Sequence, residues 1–288
     1  MKMNSSILNK LLLKDIMFIF ILLAAFVFCF FPVWKGLIHA WASSDEYSHG
    51  FFIIPLCFYI VWLKKDTLAQ VPVKSSLSGL FMIIISLLLY VFAYHAEILT
   101  LSSFSMVVLI AGVIAYFYGF LMLKKLIFPL FLLLFMIPVP AQIYSKLTIP
   151  LQLFVSEISV SLSSIFEIPI YRDGNLIYLP DQTFQVVQAC SGLRSMIALL
   201  TLCVVFGYFT LKSNFLRTIL FVTGVPVAIV VNIIRVLIMI LFFYYFNIDL
   251  TSDSVHTVFG LVIFSLALIL IYSTKGLLSI WDGPAIKR

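Results

Sequence analysis

FLRTILFVTGVPVAIVVNIIRVLIMILFFYY, residues 215–245, is the stretch whose reading decides the architecture. Its only charges are Arg217 near the start and Arg235 inside, and it exceeds the roughly 20 apolar residues that cross about 30 Å of hydrocarbon as a helix. The runs at about 16–33, 49–63, 78–95, 99–123, 125–138, 191–211 and 256–274 read the same way, the 125–138 run being short and marked by Pro129, Pro138 and Pro140. The whole chain agrees: its 288 residues are 63% hydrophobic and 10% charged, with a mean hydropathy of +1.18. Soluble domains carry about 25% charged residues. A transmembrane β-barrel would show short alternating segments instead of long unbroken ones. The expected fold is an all-α polytopic membrane protein of about eight transmembrane helices.

Charge sets the sidedness. Lys2, Lys10 and Lys14 precede the first run, Lys64, Lys65 and Lys74 follow the second, and Lys124 and Lys125 follow the fourth. Lys212 and Arg217 separate the sixth and seventh, and Lys275, Lys287 and Arg288 close the chain. With about eight spans all of these fall on one side, which the positive-inside rule assigns to the cytoplasm together with both termini. A ninth span would put the last five outside. Leu147–Ile168, moderately apolar and rich in serine with Glu157 and Glu167, accordingly reads as a helix lying at an interface or packed on the bundle. The net charge of +6 thus belongs to a membrane surface and not to nucleic acid. Ala40-Trp41-Ala42 resembles a signal cleavage site, but the aromatic run Phe26–Trp34 favours a retained helix. The long non-spanning region, about 139–189, faces outward. Within it Ile170–Val187 reads as short strands around turns at Arg172–Asn175 and Leu179–Asp181, a small β-rich segment before helix six.

Three polar groups reach the outer rim from separate segments. Cys190 stands where the outer loop becomes helix six, in Gln188-Ala-Cys-Ser-Gly-Leu-Arg194. Arg235 follows Asn232 by three residues, and 20 residues from Phe215 at about 1.5 Å each bring it about 30 Å across. His256 begins helix eight, with Gly260 one turn below. A helix N-terminus and nearby cations lower a thiol's pKa and generate thiolate, the nucleophilic form. An imidazole exchanges protons near neutrality and could protonate a leaving amine, and an arginine could stabilise an acyl-transfer oxyanion. Taken singly, each has a plainer reading. Cysteines near helix ends mostly pack, and Arg235 could snorkel to head groups. Arg194 could bind lipid phosphate or pair with Asp173 or Asp181, and Ser191 is a rival nucleophile. Cys29, Cys57 and Cys203 lie in apolar runs as small hydrophobes. His39, His49, His95 and His256 show no ligand-pair spacing, so neither a metal nor a cofactor is expected.

At these residues the chain resembles the exosortase/archaeosortase family of membrane-embedded cysteine transpeptidases. The likeness is in order and spacing: Ala189-Cys-Ser-Gly-Leu-Arg194, Asn232-Ile-Ile-Arg-Val236, then His256 with Gly260. Tyr47-Ser-His49-Gly-Phe51 ahead of Pro55 and Trp62, and Gly174-Asn175 ahead of Leu179-Pro180, agree as well; the similarity spans about residues 41–270. The resemblance implies a single membrane domain over residues 1–288, with its outer loop at about 139–189 and catalytic helices at about 190–274. It also implies Cys190 as nucleophile, Arg235 as transition-state stabiliser and His256 as general acid/base. Arg194, Asn232, Ser191 and His49 would support catalysis or bind substrate. The implied substrates are secreted proteins ending in a short motif, a transmembrane helix and a basic cluster. They would be cut on the outer face of the cytoplasmic (inner) membrane and passed to an acceptor, such as an amine-bearing lipid or glycan. Some relatives carry a further domain after the last span; with only Trp281–Arg288 following here, none is expected. Hydrolysis alone, by an intramembrane-type protease, is the nearest alternative. A transporter or polysaccharide-export component is the more distant one, disfavoured because such proteins place their sites near the midplane.

Overall fold

The computed structural model describes residues 17–18, 20–44, 46–180, 183–185, 193–248, 250 and 253–282, with the side chains at 184–185, 193–195, 253–254 and 256–257 left out of the description. It divides into two compact units, Met1–Ser44 with Gly50–Pro138, and Asp45–His49 with Val139–Arg288.

The first unit is built from helices that glycine and proline interrupt. Helices α1 (Phe20–Cys29) and α2 (Phe31–Ser43) meet at 65° about the fully buried Phe30, where Pro32 withholds a backbone donor at the start of α2. Then come α3 (Gly50–Leu63), α4 (Lys65–Ala69), α5 (Leu77–His95), α6 (Leu99–Phe117), α7 (Phe120–Lys125) and α8 (Ile127–Leu133), the last extended by a 3₁₀ turn at Leu134–Met136. The 99–123 run breaks at Gly119, whose φ of 89° and contact with the Lys74 carbonyl leave no place for a side chain. Helices α5 and α6 lie antiparallel and close. A Cβ at Gly79 would overlap the backbone of Tyr116, and one at Gly112 would come within 3.0 Å of the Ile83 backbone nitrogen. These two glycines do the work of a small-residue motif while lying on different helices, so no GxxxG is visible in either. On the other side of the unit, Trp41 Nε1 donates to the Met136 carbonyl at 2.9 Å, and the indole fills the space a side chain at Gly50 would need.

The second unit contains α9 (Ala141–Ser164), strands β1 (Tyr171–Asp173), β2 (Leu176–Tyr178) and β3 (Thr183–Gln185), and helices α10 (Leu193–Thr210), α11 (Asn214–Phe246) and α12 (Asp253–Ile280). The strands form one antiparallel sheet in the order β1-β2-β3, with Arg172 opposite Ile177 and Ile177 opposite Phe184. The β-rich segment expected before helix six is present, and its first turn uses Gly174 at φ 60°. Helices α10, α11 and α12 run up, down and up. At one end, the Lys212 and Ser213 amides donate to the Asp282 carboxylate at 2.7 and 3.1 Å, tying the α10–α11 turn to the end of α12. Those two hydrogen bonds, with Lys212 and Arg217 nearby, hold the Asp282 carboxyl below the usual carboxylate range. At the other end α11 closes on Asn247 at φ 53°, with the Asn247 and Ile248 amides bonding back to Phe243 and Phe242, a Schellman stop. Tyr245 Oη there donates to the Phe166 carbonyl, so α9 finishes beside the finish of α11 and the two helices run in the same direction.

Among the described residues, α5, α6, α9, α11 and the Val258–Ile280 part of α12 are long and apolar enough to cross a membrane, and the bent α1–α2 pair would make a sixth. Helix α3, the Ile127–Met136 stretch and Met196–Thr210 are apolar but shorter. The chain is a multi-pass helical membrane protein. Every apolar run of the sequence contains a helix, although length and composition give five or six crossings where eight are expected. Of the two readings of Leu147–Ile168, at an interface or packed on the bundle, the second fits: the segment belongs to α9, which starts at Ala141, packs against α11 and is long enough to span. Its hydropathy of 1.2, against at least 2.0 for the other four, comes from polar residues that face inward. Thr148, Gln152, Ser156, Ser159 and Ser163 are buried, whereas Ile143, Leu147, Ile149 and Phe154 are exposed.

Candidate functional site

Arg235 is the anchor. It lies on α11 at 9% exposure beside Asn232 at 3%, three residues apart on one face. A snorkelling arginine would show its head group to solvent. This one instead turns inward to α12, where its Nη2 is 3.6 Å from the position a Cβ would take on Gly260. The absence of a side chain at 260 lets the guanidinium lie against the helix backbone. Position 256 is four residues earlier on α12, one turn nearer the helix start and on the same face. The backbone therefore places positions 235 and 256 on neighbouring turns of adjacent helices.

Arg194 is the second residue of α10, at the end of the unit where α12 begins, and α10 packs against both α11 and α12. The side chains of Arg194 and His256, and Cys190 and Ser191 altogether, lie outside the described residues. Helix α10 begins at Leu193, three residues after Cys190.

His49 belongs to the short Glu46–His49 turn. It is half-buried, with its ring 6.5 Å from that of Tyr47. The turn is fixed to the start of the second unit's helical part: the Val139 amide donates to Tyr47 Oη at 3.1 Å, and Tyr144 Oη donates to Glu46 at 2.9 Å. Burial pushes the Tyr47 hydroxyl's pKa up, so it remains a neutral hydrogen-bonding group at physiological pH. These contacts give Tyr47 of the early motif and its neighbour Glu46 a structural role.

The sheet is held by its own arginine. Arg172 donates to the Gly174 carbonyl at 3.0 Å and to Ser156 Oγ at 3.5 Å, and it pairs with Glu157 at 3.6 Å, so the first turn rests on the middle of α9. Ile177 and Leu179 bury against Val155 of α9 and Val236, Met239 and Ile240 of α11. That cluster contains Val236, the residue following Arg235, so the sheet and α9 buttress the α11 segment that carries the guanidinium.

The family model for transmembrane exosortases matches residues 41–273, most of the chain. The chain belongs to the transmembrane exosortase family. No curated protein and no solved structure matches it. Membership agrees with the resemblance read from Cys190, Arg194, Asn232, Arg235 and His256, and the matched span includes every one of them. What sequence reasoning missed in this exosortase is the buried polar face of α9. Its signal is a polar residue every three or four positions from Thr148 to Ser163.

Proposed function

We propose that this exosortase is a membrane cysteine transpeptidase that removes the C-terminal sorting signal of secreted proteins and transfers the new C-terminus to an amine-bearing acceptor. In this reading the end of the second unit carrying Lys212, Arg217 and Lys275 is cytoplasmic, and the end carrying the sheet faces the outside of the cytoplasmic membrane. The observation that carries it is the buried Arg235 guanidinium lying against Gly260, one helical turn from position 256.

The chemistry runs in two halves. Cys190 gives its proton to His256, and the thiolate attacks the scissile carbonyl carbon. Arg235 stabilises the resulting oxyanion. Collapse breaks the C–N bond, and the imidazolium protonates the departing amine, leaving a thioester on Cys190. The acceptor amine then attacks the thioester, His256 takes its proton, and the thiolate is released. Asn232 and Arg194 orient the arginine and the substrate.

The test is co-expression of the full-length chain with a tagged secreted protein of the same genome ending in a short motif, an apolar helix and a basic cluster. Wild type should yield a product whose C-terminus bears an added group, and hydroxylamine should release a Cys190-linked acyl intermediate. A free carboxylate at the new C-terminus would indicate hydrolysis alone. Full processing by Cys190→Ala would refute the nucleophile.

A further inference from the structure

A cavity of about 190 Å³ opens in the first unit where the start of α2 meets the turn between α5 and α6. Most of its lining is apolar: the buried Val33 and Ala93, with Pro32 and Leu99. Two polar side chains interrupt that lining. Ser102 is 5% exposed, and its hydroxyl bonds to no described residue, whereas Ser103 and Ser105 beside it donate to helix carbonyls at 2.8 and 2.6 Å. Glu97 stands exposed in the turn, and its carboxylate forms neither a hydrogen bond nor an ion pair among the described residues.

The cavity lies at a membrane boundary. Helix α5 starts three residues after Lys74, and its 19 residues rise about 28 Å, so the turn that follows reaches the opposite edge of the hydrocarbon. Phe31, Phe92 and Ile98, adjacent in sequence to lining residues, are exposed and give the mouth an apolar border suited to lipid. A carboxylate in that setting is the complement of a cation. With the Ser102 oxygen as a second acceptor, the cation that fits best carries N–H donors. Lys35, exposed and likewise without an ion pair among the described residues, neighbours Pro32 on the surface of α2 and offers the opposite charge.

We propose that this cavity seats the head group of a lipid ending in a primary ammonium, of the phosphatidylethanolamine kind. The ammonium donates to the Glu97 carboxylate and the Ser102 hydroxyl, the phosphate meets Lys35, and the chains run over the exposed Phe31 and Phe92. A choline head group has the same charge but no N–H to donate, and a glycerol head group has hydroxyls but no positive charge, so both bind less well. This inference stands independently of the transpeptidase reading.

Its test is native mass spectrometry of the full-length protein released from nanodiscs holding equal parts of phosphatidylethanolamine, phosphatidylcholine and phosphatidylglycerol with identical chains, beside a titration with free ethanolamine and thermal unfolding in detergent. Wild type should retain phosphatidylethanolamine about fivefold or more over either competitor. Glu97→Gln and Ser102→Ala should each lower that retention roughly fivefold with little change in Tm. Lys35→Gln should weaken the ethanolamine and choline lipids alike, since both carry the phosphate. A wild type that does not prefer phosphatidylethanolamine, or a preference that Glu97→Gln leaves intact, overturns the site. Free ethanolamine binding as tightly as the lipid, with the same loss in Glu97→Gln, would make the ligand a soluble amine and overturn the lipid. Glu97 is exposed, so Glu97→Gln should fold; should Ser102→Ala not, the Glu97 variant decides alone.

Discussion

Enlarging residue 260 tests the central geometry without touching any group proposed to react. A Cβ there would lie 3.6 Å from Arg235 Nη2, ordinary contact, so Gly260→Ala fits as the structure stands. Alanine also favours helix over glycine by about 1 kcal/mol in exposed helices, so this variant should be at least as stable as wild type. Gly260→Val adds methyls about 1.5 Å farther out, and one directed at the guanidinium would force it back by roughly 1 Å to restore van der Waals separation. A misplacement of about 1 Å at a group acting on the transition state can cost on the order of 100-fold in rate. The expected series is therefore near-wild-type processing for alanine and a loss of about two orders of magnitude in kcat/KM for valine. In detergent, the Tm of valine should stay close to that of alanine. The assay is the initial rate of reporter cleavage in membranes, normalised to folded enzyme by fluorescence-detected chromatography. Valine processing within about threefold of alanine would mean that the guanidinium contributes nothing from where it lies, and the role given to Arg235 would be withdrawn.

Three further outcomes follow from the same structure. Gly79→Ala should loosen or misfold the first unit by about 1–3 kcal/mol or more, because its methyl would overlap the Tyr116 backbone, whereas Gly276→Ala, with open space around it, should be neutral; thermal unfolding of the two variants compares them. The Asp282 tie should be complete at neutral pH and weaken as pH falls below about 4, since a carboxyl whose pKa is depressed in the folded state loses its contribution on protonation; Asp282→Asn should flatten that acid limb of a Tm-versus-pH profile. Trp41→Phe should lower stability by about 1–3 kcal/mol in chemical denaturation, because it strands the Met136 carbonyl inside the first unit.

How much of this was legible in the sequence depends on the kind of signal. Long apolar runs located the helices, since an uncharged stretch of that length has few other options, and α11 came within a residue of its expected bounds at each end. The turn at Gly174-Asn175 predicted the hairpin, because a glycine at positive φ between short alternating segments has a local cause. What could not be read was whatever depends on a partner helix. The α1–α2 bend and the break at Gly119 lie within runs that look continuous by hydropathy alone. Gly79 and Gly112 serve one interface from two helices. For the candidate site, burial of Asn232 and Arg235 was foreseeable from their place inside an apolar run, but the direction of the guanidinium was not: the same sequence fits an arginine turned to lipid head groups. Gly260 decides between these, and its meaning appears only once α12 lies against α11.

The low hydropathy of α9 has a physical cause with wider reach. Hydropathy averages a helix over all its faces, so a helix with a polar interior face and an apolar exterior scores as mediocre and is assigned to the membrane surface. In a soluble protein the polar face of an amphipathic helix points to water. In a bilayer the exterior is the apolar phase, and polar groups must find partners inside the protein or exchange them with something that enters. Helix α9 meets that demand for Thr148, Ser156 and Ser163 with its own carbonyls and the hairpin turn, while the buried Ser159 hydroxyl has no partner among the described residues. The helix of lowest hydropathy among the long ones is also the one that buttresses the Arg235 segment, through Val155 packed with Val236.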